Sequence, residues 1–574
     1  MPKNVMKLLK PSPHRARNDF DLSHRHVYMA NYGELLPSTC IETVPGDHIV
    51  VHASDLLRAI PMVTSPFIRA KQHIDVWFVP FKDLWHQFDS FITQKSQPVS
   101  SALKGSAYCP YLSLYQMWNI AGGSGTDIVG MPYNNGAKKL LNLLGYGHTT
   151  VGSQASDNVY VNPFRLLAYN YIWYNEYRQK YYDDGTHLFA TGATASDVAQ
   201  LFNADFLDCS SLANADLGSA WQALSAIGLK SAMQMRYRTW KKDLFTGLLP
   251  STQFGSVSTV SSPQTLNVYG DNSALNGVRF NSSNDFITQT SDQRLSGYKD
   301  YNTTPVRSQF IASGNTSFDV LALRRSEAVQ IWRENALRAG NRVADNMLAH
   351  YGVASDFKDH RPTYLGSVSS PLNIGDVMTT ANSDYSGNTN PNTNVGDVAG
   401  KGLSSLDEKV FTFDSKDFGV IMAIHSILPE AEYNAMGVSR PNQLLEAEDF
   451  FVPEFENLGL EAVSSQNFVN VTVNNAKVIG YAPRYYAYKT KLDKCYGAFM
   501  TSNSMAPWCS PKYDVTQNLG SPGYSIPLSV LYVNPKIFDV NFSVGVANSD
   551  QFLCDVYYDV DAVRPMSVVG LPFS

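Results

Sequence analysis

Apolar and polar residues alternate with a period of two along much of the last third of the chain. Cys554, Val556, Tyr558, Val560 and Ala562 alternate with Asp555, Tyr557, Asp559 and Asp561. Phe538, Val540, Phe542, Val544 and Val546 alternate with Asp539, Asn541 and Ser543, and Val469, Val471 and Val473 with Asn470, Thr472 and Asn474. Successive side chains of a strand point to opposite faces, so each run predicts a strand with one buried and one wet face, as in antiparallel sheets. Earlier, "KQHIDVWFVPF" sets Ile74, Val76 and Phe78 against Asp75 and Trp77. "DFGVIMAIHSI" is apolar on both faces and predicts a central strand. "ETVPGDHIVV" holds Pro45-Gly46, the pair that a type II turn requires.

A second period, near 3.6, marks "FDVLALRRSEAVQIWRENALRAGNRVADNMLAHYG". Ala328, Trp332, Ala336, Ala339, Val343 and Met347 recur at steps of three or four, which predicts a long helix packed on a sheet by that face. Asp319 is placed to cap its start and Gly352 to close its end. Residues 108–125 and 161–182 mix aromatics with helix formers. "NPFRLLAYNYIWYNEYRQKYY" carries too many Tyr and Trp for an exposed helix, so burial or an interface is expected. Two stretches lack periodicity: Ser251 to Ser317, rich in Ser, Thr, Asn and Gly, and "TTANSDYSGNTNPNTNVGDVAGKG". The first is long enough to be a functional excursion, the second a mobile polar loop at 379–402. Strands far apart in sequence, joined by long excursions, suit a jelly roll of two packed sheets.

Composition narrows the function. Of 574 residues only 17% are charged, below the usual quarter or so, while 12% are aromatic, with 32 Tyr. Such a surface is built for contact. The net charge of −6 excludes a whole-protein electrostatic nucleic-acid binder and leaves room only for local basic footprints. One is residues 1–26, read as an irregular basic arm with Lys3, Lys7, Lys10, Arg15, Arg17 and Arg25 against Asp19 and Asp21. Another is "VIGYAPRYYAYKTKLDKCYGAF", where Arg484, Lys489, Lys491 and Lys494 interleave with tyrosines. Its main expectation is a strand and turn with tyrosines in the core or an interface, the cations adding phosphate contacts or ion pairs. The six Cys are scattered, with no C-x-x-C pair, so free thiols are expected rather than disulfides or zinc. The N-terminus has no apolar stretch of a secretory signal, and no run of about 18 apolar residues predicts a membrane span.

The search for catalytic chemistry finds little. H-E-x-x-H, Walker A and G-x-G-x-x-G motifs are absent from the sequence. "AGGSGT" resembles a nucleophile elbow, but Thr126 replaces the last Gly. His24 and His26 flank Arg25 without a third ligand, and Asp555, Asp559 and Asp561 read as a solvated acidic face. No catalytic residue, cofactor or metal is expected.

Several segments together resemble one family, the major capsid protein of the microviruses, gokushovirus-like small icosahedral phages with circular single-stranded DNA. They are, in order, "FDLSHRHVYMANYGELLPSTCIETVPGD", "YNYIWYNEYRQ", "RTWKKDLFTGLLPS", "MLAHYGV", "RPTYLGS", "VIGYAPRYYAYKTKLDKCYGAF" and "CDVYYDVDAVRPM". The resemblance implies a mainly β fold, an eight-stranded antiparallel jelly roll with long inter-strand insertions including several helices. After the arm, 27–574 would form a single jelly-roll domain. The insertion at 252–318 would be a surface protrusion at the threefold axes that meets a host receptor. The resemblance further implies a T=1 shell of sixty copies enclosing single-stranded DNA, found in the virion and assembled in the host bacterial cytoplasm. Small DNA-binding, pilot and scaffolding proteins of the same phage would be its partners, without membrane insertion. Interior DNA contacts would fall to Lys3, Lys7, Lys10, Arg15 and Arg17, with Arg484, Lys489 and Lys491. The rival readings are a carbohydrate-binding β-sandwich and a glycosidase, which needs two carboxylates about 5–10 Å apart.

Overall fold

The computed structural model describes residues 17–85, 88–92, 112–147, 159–179, 181–182, 202–203, 206–207, 230–253, 268–269, 279–280, 286–287, 311–312, 320–339, 348–352, 361–378, 398–468, 477–501, 503–510 and 528–568. The chain forms two compact units, 1–252 with 355–574, and 253–354. No helix among the described residues is long and apolar enough to cross a membrane.

The larger unit is a sandwich of two antiparallel sheets. Its strands are β1 (Asn18–Asp21), β2 (His24–Ala30), β3 (Leu36–Thr43), β4 (His48–Ala59), β5 (Ala70–Pro80), β6 (Thr363–Pro371), β7 (Asn373–Met378), β8 (Val398–Asp414), β9 (Gly419–Pro429) and β10 (Phe552–Arg564). One sheet runs β1–β10–β4–β8–β7, with β2 also paired to β10; the other runs β6–β5–β9–β3. Successive strands therefore cross from sheet to sheet: β3, β4 and β5 alternate, as do β8, β9 and β10. Between the sheets, the Phe78 and Phe413 rings lie 4.8 Å apart, and Tyr28 Oη meets His425 Nδ1 at 2.8 Å.

The period-two pattern sets this core. In β10, Cys554, Val556, Tyr558, Val560 and Ala562 are buried, and Leu553, Tyr557, Asp559 and Asp561 are exposed. Each such side chain contributes roughly 1.5–3 kcal/mol by leaving water. β9 lies between β5 and β3 and is buried along nearly its whole length. The helical segments Phe81–Leu84 and Phe164–Ile172 pack against it and β5. Pro45-Gly46 forms the expected turn, with Gly46 at φ +96.

Among the described residues the longer helices of this unit are α1 (Leu114–Ala121), α2 (Tyr133–Leu143) and α3 (Phe164–Ile172), beside several single-turn helices. α3 continues into a π-helical turn, Trp173–Tyr177, and the aromatic segment is buried as its composition requires. From that turn Tyr177 donates to Asp75 Oδ2 at 2.8 Å, and Arg238 reaches the same oxygen at 3.1 Å. This ion pair and hydrogen bond allow Asp75 to sit buried in β5.

Several expectations are corrected. Residues 538–546 are not a strand: Pro535–Asn541 is a 3₁₀ helix, opened by Pro535 and capped by the Asn534 side chain accepting from Lys536 N–H. Phe538, Phe542 and Val546 are buried while Val540 and Val544 are exposed, so the true period is four. The basic arm does not extend to residue 26. Phe20 pairs with Ala562 and His26 with Val556, which makes most of 18–26 strand. Nor is 398–402 a loop: it begins β8, where Gly400 passes so close to Thr64 that a Cβ would lie 2.0 Å from its carbonyl oxygen. Residues 379–397 and the alternating stretch 469–473 lie outside the described residues.

In the smaller unit, α4 (Val320–Ala339) is helical as expected, and Gly352 closes the segment 348–352 at φ +68. Its predicted buried face is wrong. Trp332 is 59% exposed and Ala328 is also exposed, with Leu323 and Ile331 beside them, whereas Leu337 is buried. Of the stripe read as core, Ala328 and Trp332 face solvent in the single chain and Ala336 is half-buried, while Ala339, Val343 and Met347 lie outside the described side chains.

Candidate assembly surface and interior polar sites

A buried ionic node locks the start of β10 to the link between β2 and β3. α2 packs by Tyr133, Ala137, Leu140 and Leu141, at helical spacing. That orientation sends Lys139 Nζ between Glu34 Oε2 at 2.6 Å and Asp550 Oδ2 at 2.8 Å. Asn31 Nδ2 donates to both carboxylates, at 2.9 and 2.8 Å. Gln551 N–H donates to Asn31 Oδ1 at 3.0 Å. Gly33, at φ +77, makes the turn that presents Glu34; a Cβ there would lie 2.4 Å from Val533 Cβ. Burial alone would lower the Lys139 ammonium, but the two carboxylates outweigh it and raise it. The node opens on a cleft of about 560 Å³ lined in part by Val27, Met131 and Asn135. Its carboxylates are committed to Lys139 and Asn31, which suits a clamp rather than acid–base catalysis.

A second polar cluster lies between the sheets. Asp55, on the inward face of β4, is 5% exposed, and neither carboxylate oxygen completes a hydrogen bond. Burial pushes it up to about 7 against the opposing pull of Gln72. Across the gap His425 is fully buried, and burial, then His73, lowers it to about 4.

The histidines of "HRH" close the seam between the sheets. His24 Nε2 meets Thr39 Oγ1 at 2.7 Å and His26 Nδ1 meets the Ser38 carbonyl at 2.6 Å, both on β3. Arg25 forks onto Asp555 at 2.7 and 2.6 Å, which holds that carboxyl below its ordinary value. Ser23 donates to Asp559. Among the described residues no group of three or more His, Cys, Asp or Glu could hold a metal ion. "AGGSGT" follows α1 directly, and Lys230 donates to the Ser124 carbonyl, so no strand leads into an elbow.

The candidate DNA-contact residues divide. Lys3, Lys7, Lys10 and Arg15 lie outside the described residues. Arg17 is exposed, its guanidinium beside the Gly46 turn. Arg484 is half-buried and lies 5.8 Å from the Phe455 ring and 5.3 Å from that of Tyr485. Lys489 pairs with Glu456 at 3.2 Å, and Lys491 is exposed. In the tyrosine-rich stretch Val478–Phe499, Tyr485 and Tyr486 are buried while Tyr488 and Tyr496 are exposed. Tyr485 is left-handed, at φ 61, and its N–H donates to Glu461 Oε2 at 3.0 Å.

Around that stretch the chain builds an acidic, apolar surface. Residues 440–461 hold six acidic side chains and one base, Arg440. Arg440 pins the segment through Asp449 and Glu461, at 3.1 and 2.9 Å. Sequence patterning missed this surface because it has no period. Its signal was composition: Phe, Leu and Glu adjacent in a segment without strand or helix spacing.

The Capsid protein (F protein) family matches residues 10–573. Capsid protein VP1 of Chlamydia phage 1 is 23% identical over 623 aligned residues, covering 97% of this chain and 95% of that protein. Capsid protein VP1 of Bdellovibrio phage phiMH2K is 22% identical over 572, covering 98% and 96%. A sandwich fastened by committed ion pairs, with apolar surface left for contact, agrees with that match along nearly the whole length: the chain belongs to the capsid protein (F protein) family of bacteriophages, as a structural protein and not an enzyme.

Proposed function

We propose that this chain is the major capsid protein of a microvirus-type phage, assembling as sixty copies into a T=1 icosahedral shell around circular single-stranded DNA. The strand order carries the reading. β2–β10–β4–β8 facing β3–β9–β5–β6 supports an eight-stranded jelly roll, since the chain crosses between the sheets at most of its strand-to-strand steps. Two further strands lie outside that set: β1, paired with β10, and β7, paired antiparallel with β8. Closed shells need different patches of one chain to meet, which the exposed Leu445, Phe451, Phe67 and Trp332 side chains supply.

The genome needs only local cations on the inner wall, because phosphate contact is independent of sequence. Lys3, Lys7, Lys10, Arg15 and Arg17 are our choice, with Lys491. Arg484 and Lys489 contribute less, since the protein already engages them. All of the insertion 252–318 but its first residue falls within the smaller unit, which supports reading it as the threefold protrusion that meets a host receptor. Small DNA-binding, pilot and scaffolding proteins of the phage complete the assembly in the host cytoplasm. Imaging of purified particles tests the shell. For the protrusion, deleting the tip of 252–318 is expected to spare assembly and abolish adsorption to host cells; adsorption that survives removes the host-contact role.

A further inference from the structure

We propose that α4 of one copy docks on the acidic, apolar surface 445–458 of a neighbouring copy. The proposal rests on the capsid reading and names one contact within it.

Each side is incomplete alone. On α4 the exposed arc carries Leu323 at 51%, Ile331 at 53% and Trp332 at 59% exposure. Arg324 and Arg325 are exposed beside them and hold no ion pair among the described residues, with Glu327 the one exposed carboxylate on that side of the helix. The helix has four Arg against two Glu. On the other side Leu445 is 87% exposed and Leu458 64%, with Phe450 and Phe451 about half exposed. Glu446 and Glu454 are exposed between them. One surface is basic and the other acidic, and both offer large apolar side chains, the pattern of an interface core with charged margins.

The acidic surface is also preorganised. Glu446 and Asp449 form a capping box about the short helix Ala447–Asp449. Val452 N–H donates to Tyr485 Oη, and the Phe451 ring lies 5.3 Å from the Tyr485 ring. The left-handed Tyr485 is held by Glu461, which Arg440 in turn holds. A rigid platform loses little entropy on docking a helix, and an amphipathic helix laid across apolar ground is a recurring mode of recognition. The two patches differ, so the contact is heterologous, and repeated around a symmetry axis it closes a ring.

The test is a charge swap in shell assembly. Arg324→Glu with Arg325→Glu is expected to reduce the yield of closed shells about tenfold or more, as does Glu448→Arg with Glu454→Arg, exposed carboxylates outside the capping box. Combining all four substitutions restores the yield to within about threefold of the unaltered chain. Melting of the soluble variants checks that they are folded. Shells formed by the unaltered chain in the same preparation hold the capsid reading fixed. Reversed variants that assemble normally, or folded variants that the fourfold swap fails to rescue, overturn this contact alone.

Discussion

Replacing Lys139 with Met is expected to destabilise the folded chain by about 3–5 kcal/mol. The substitution keeps the length and apolar stem of the side chain and removes only the ammonium. What remains is Glu34, whose side chain is 5% exposed, and Asp550, 27% exposed, facing each other across the vacated charge. Asn31 can still donate to both, but one amide cannot neutralise two carboxylates in a partly dry site. The loss is felt far from α2, because the node joins Asn31, Gln551 and the start of β10. Urea denaturation of the soluble subunit measures it, and a companion Glu34→Gln, Lys139→Met variant should recover part of the loss. A loss below about 1 kcal/mol would mean that the node is solvated and only decorative.

Asp55→Asn is expected to stabilise the chain increasingly as pH rises. The folded carboxyl titrates at about 7 against an ordinary 3.8. Between those values the folded protein keeps a proton that the unfolded chain has released. The protonated carboxyl's contribution is fully present below pH 3.8 and is lost as pH rises through 7. The Asn variant has no such proton. Its advantage therefore grows from pH 4 to 7 and levels above, reaching on the order of 3–4 kcal/mol. His425 acts oppositely: its lowered value costs stability as pH falls from 6.5 towards 4. Comparing the variant with the parent at each pH cancels His425 and isolates Asp55. A difference that stays flat across pH 4 to 8 would show that Asp55 is ionised and satisfied throughout.

Much of the sandwich was legible from periodicity, and the failures have physical causes. β10 and β9 could be read because one is wet on one face and the other buried on both. Residues 538–546 misled because a residue buried every fourth position also satisfies a count of every second. Only Pro535, with the Asn534 cap, marked the helix. α4 was found as a helix, yet its stripe was assigned to the core, since periodicity shows which residues share a face and not what covers it. Arg324 and Arg325, exposed beside it, are better explained by a partner. The Lys139 node was invisible because Glu34, Lys139 and Asp550 are joined only by the folded topology. The left-handed backbone of Tyr485 was hidden for a related reason: a Tyr adopts it only where surrounding hydrogen bonds over-determine it. The basic arm shortened because β10 offers a pairing edge to residues that look irregular alone. The charges of "YYAYKTKLDK" gave no hint that Glu456 and Glu461 would surround them.

Whether copies of this chain build a closed shell is decided by electron microscopy of particles purified with it or formed after its expression in bacteria. Uniform icosahedral T=1 shells are expected, with 252–318 protruding at the threefold axes and nuclease-protected single-stranded DNA inside particles from infected cells. A folded chain that remains monomeric under conditions of assembly, alone and with the other proteins of its phage, would contradict closed-shell assembly.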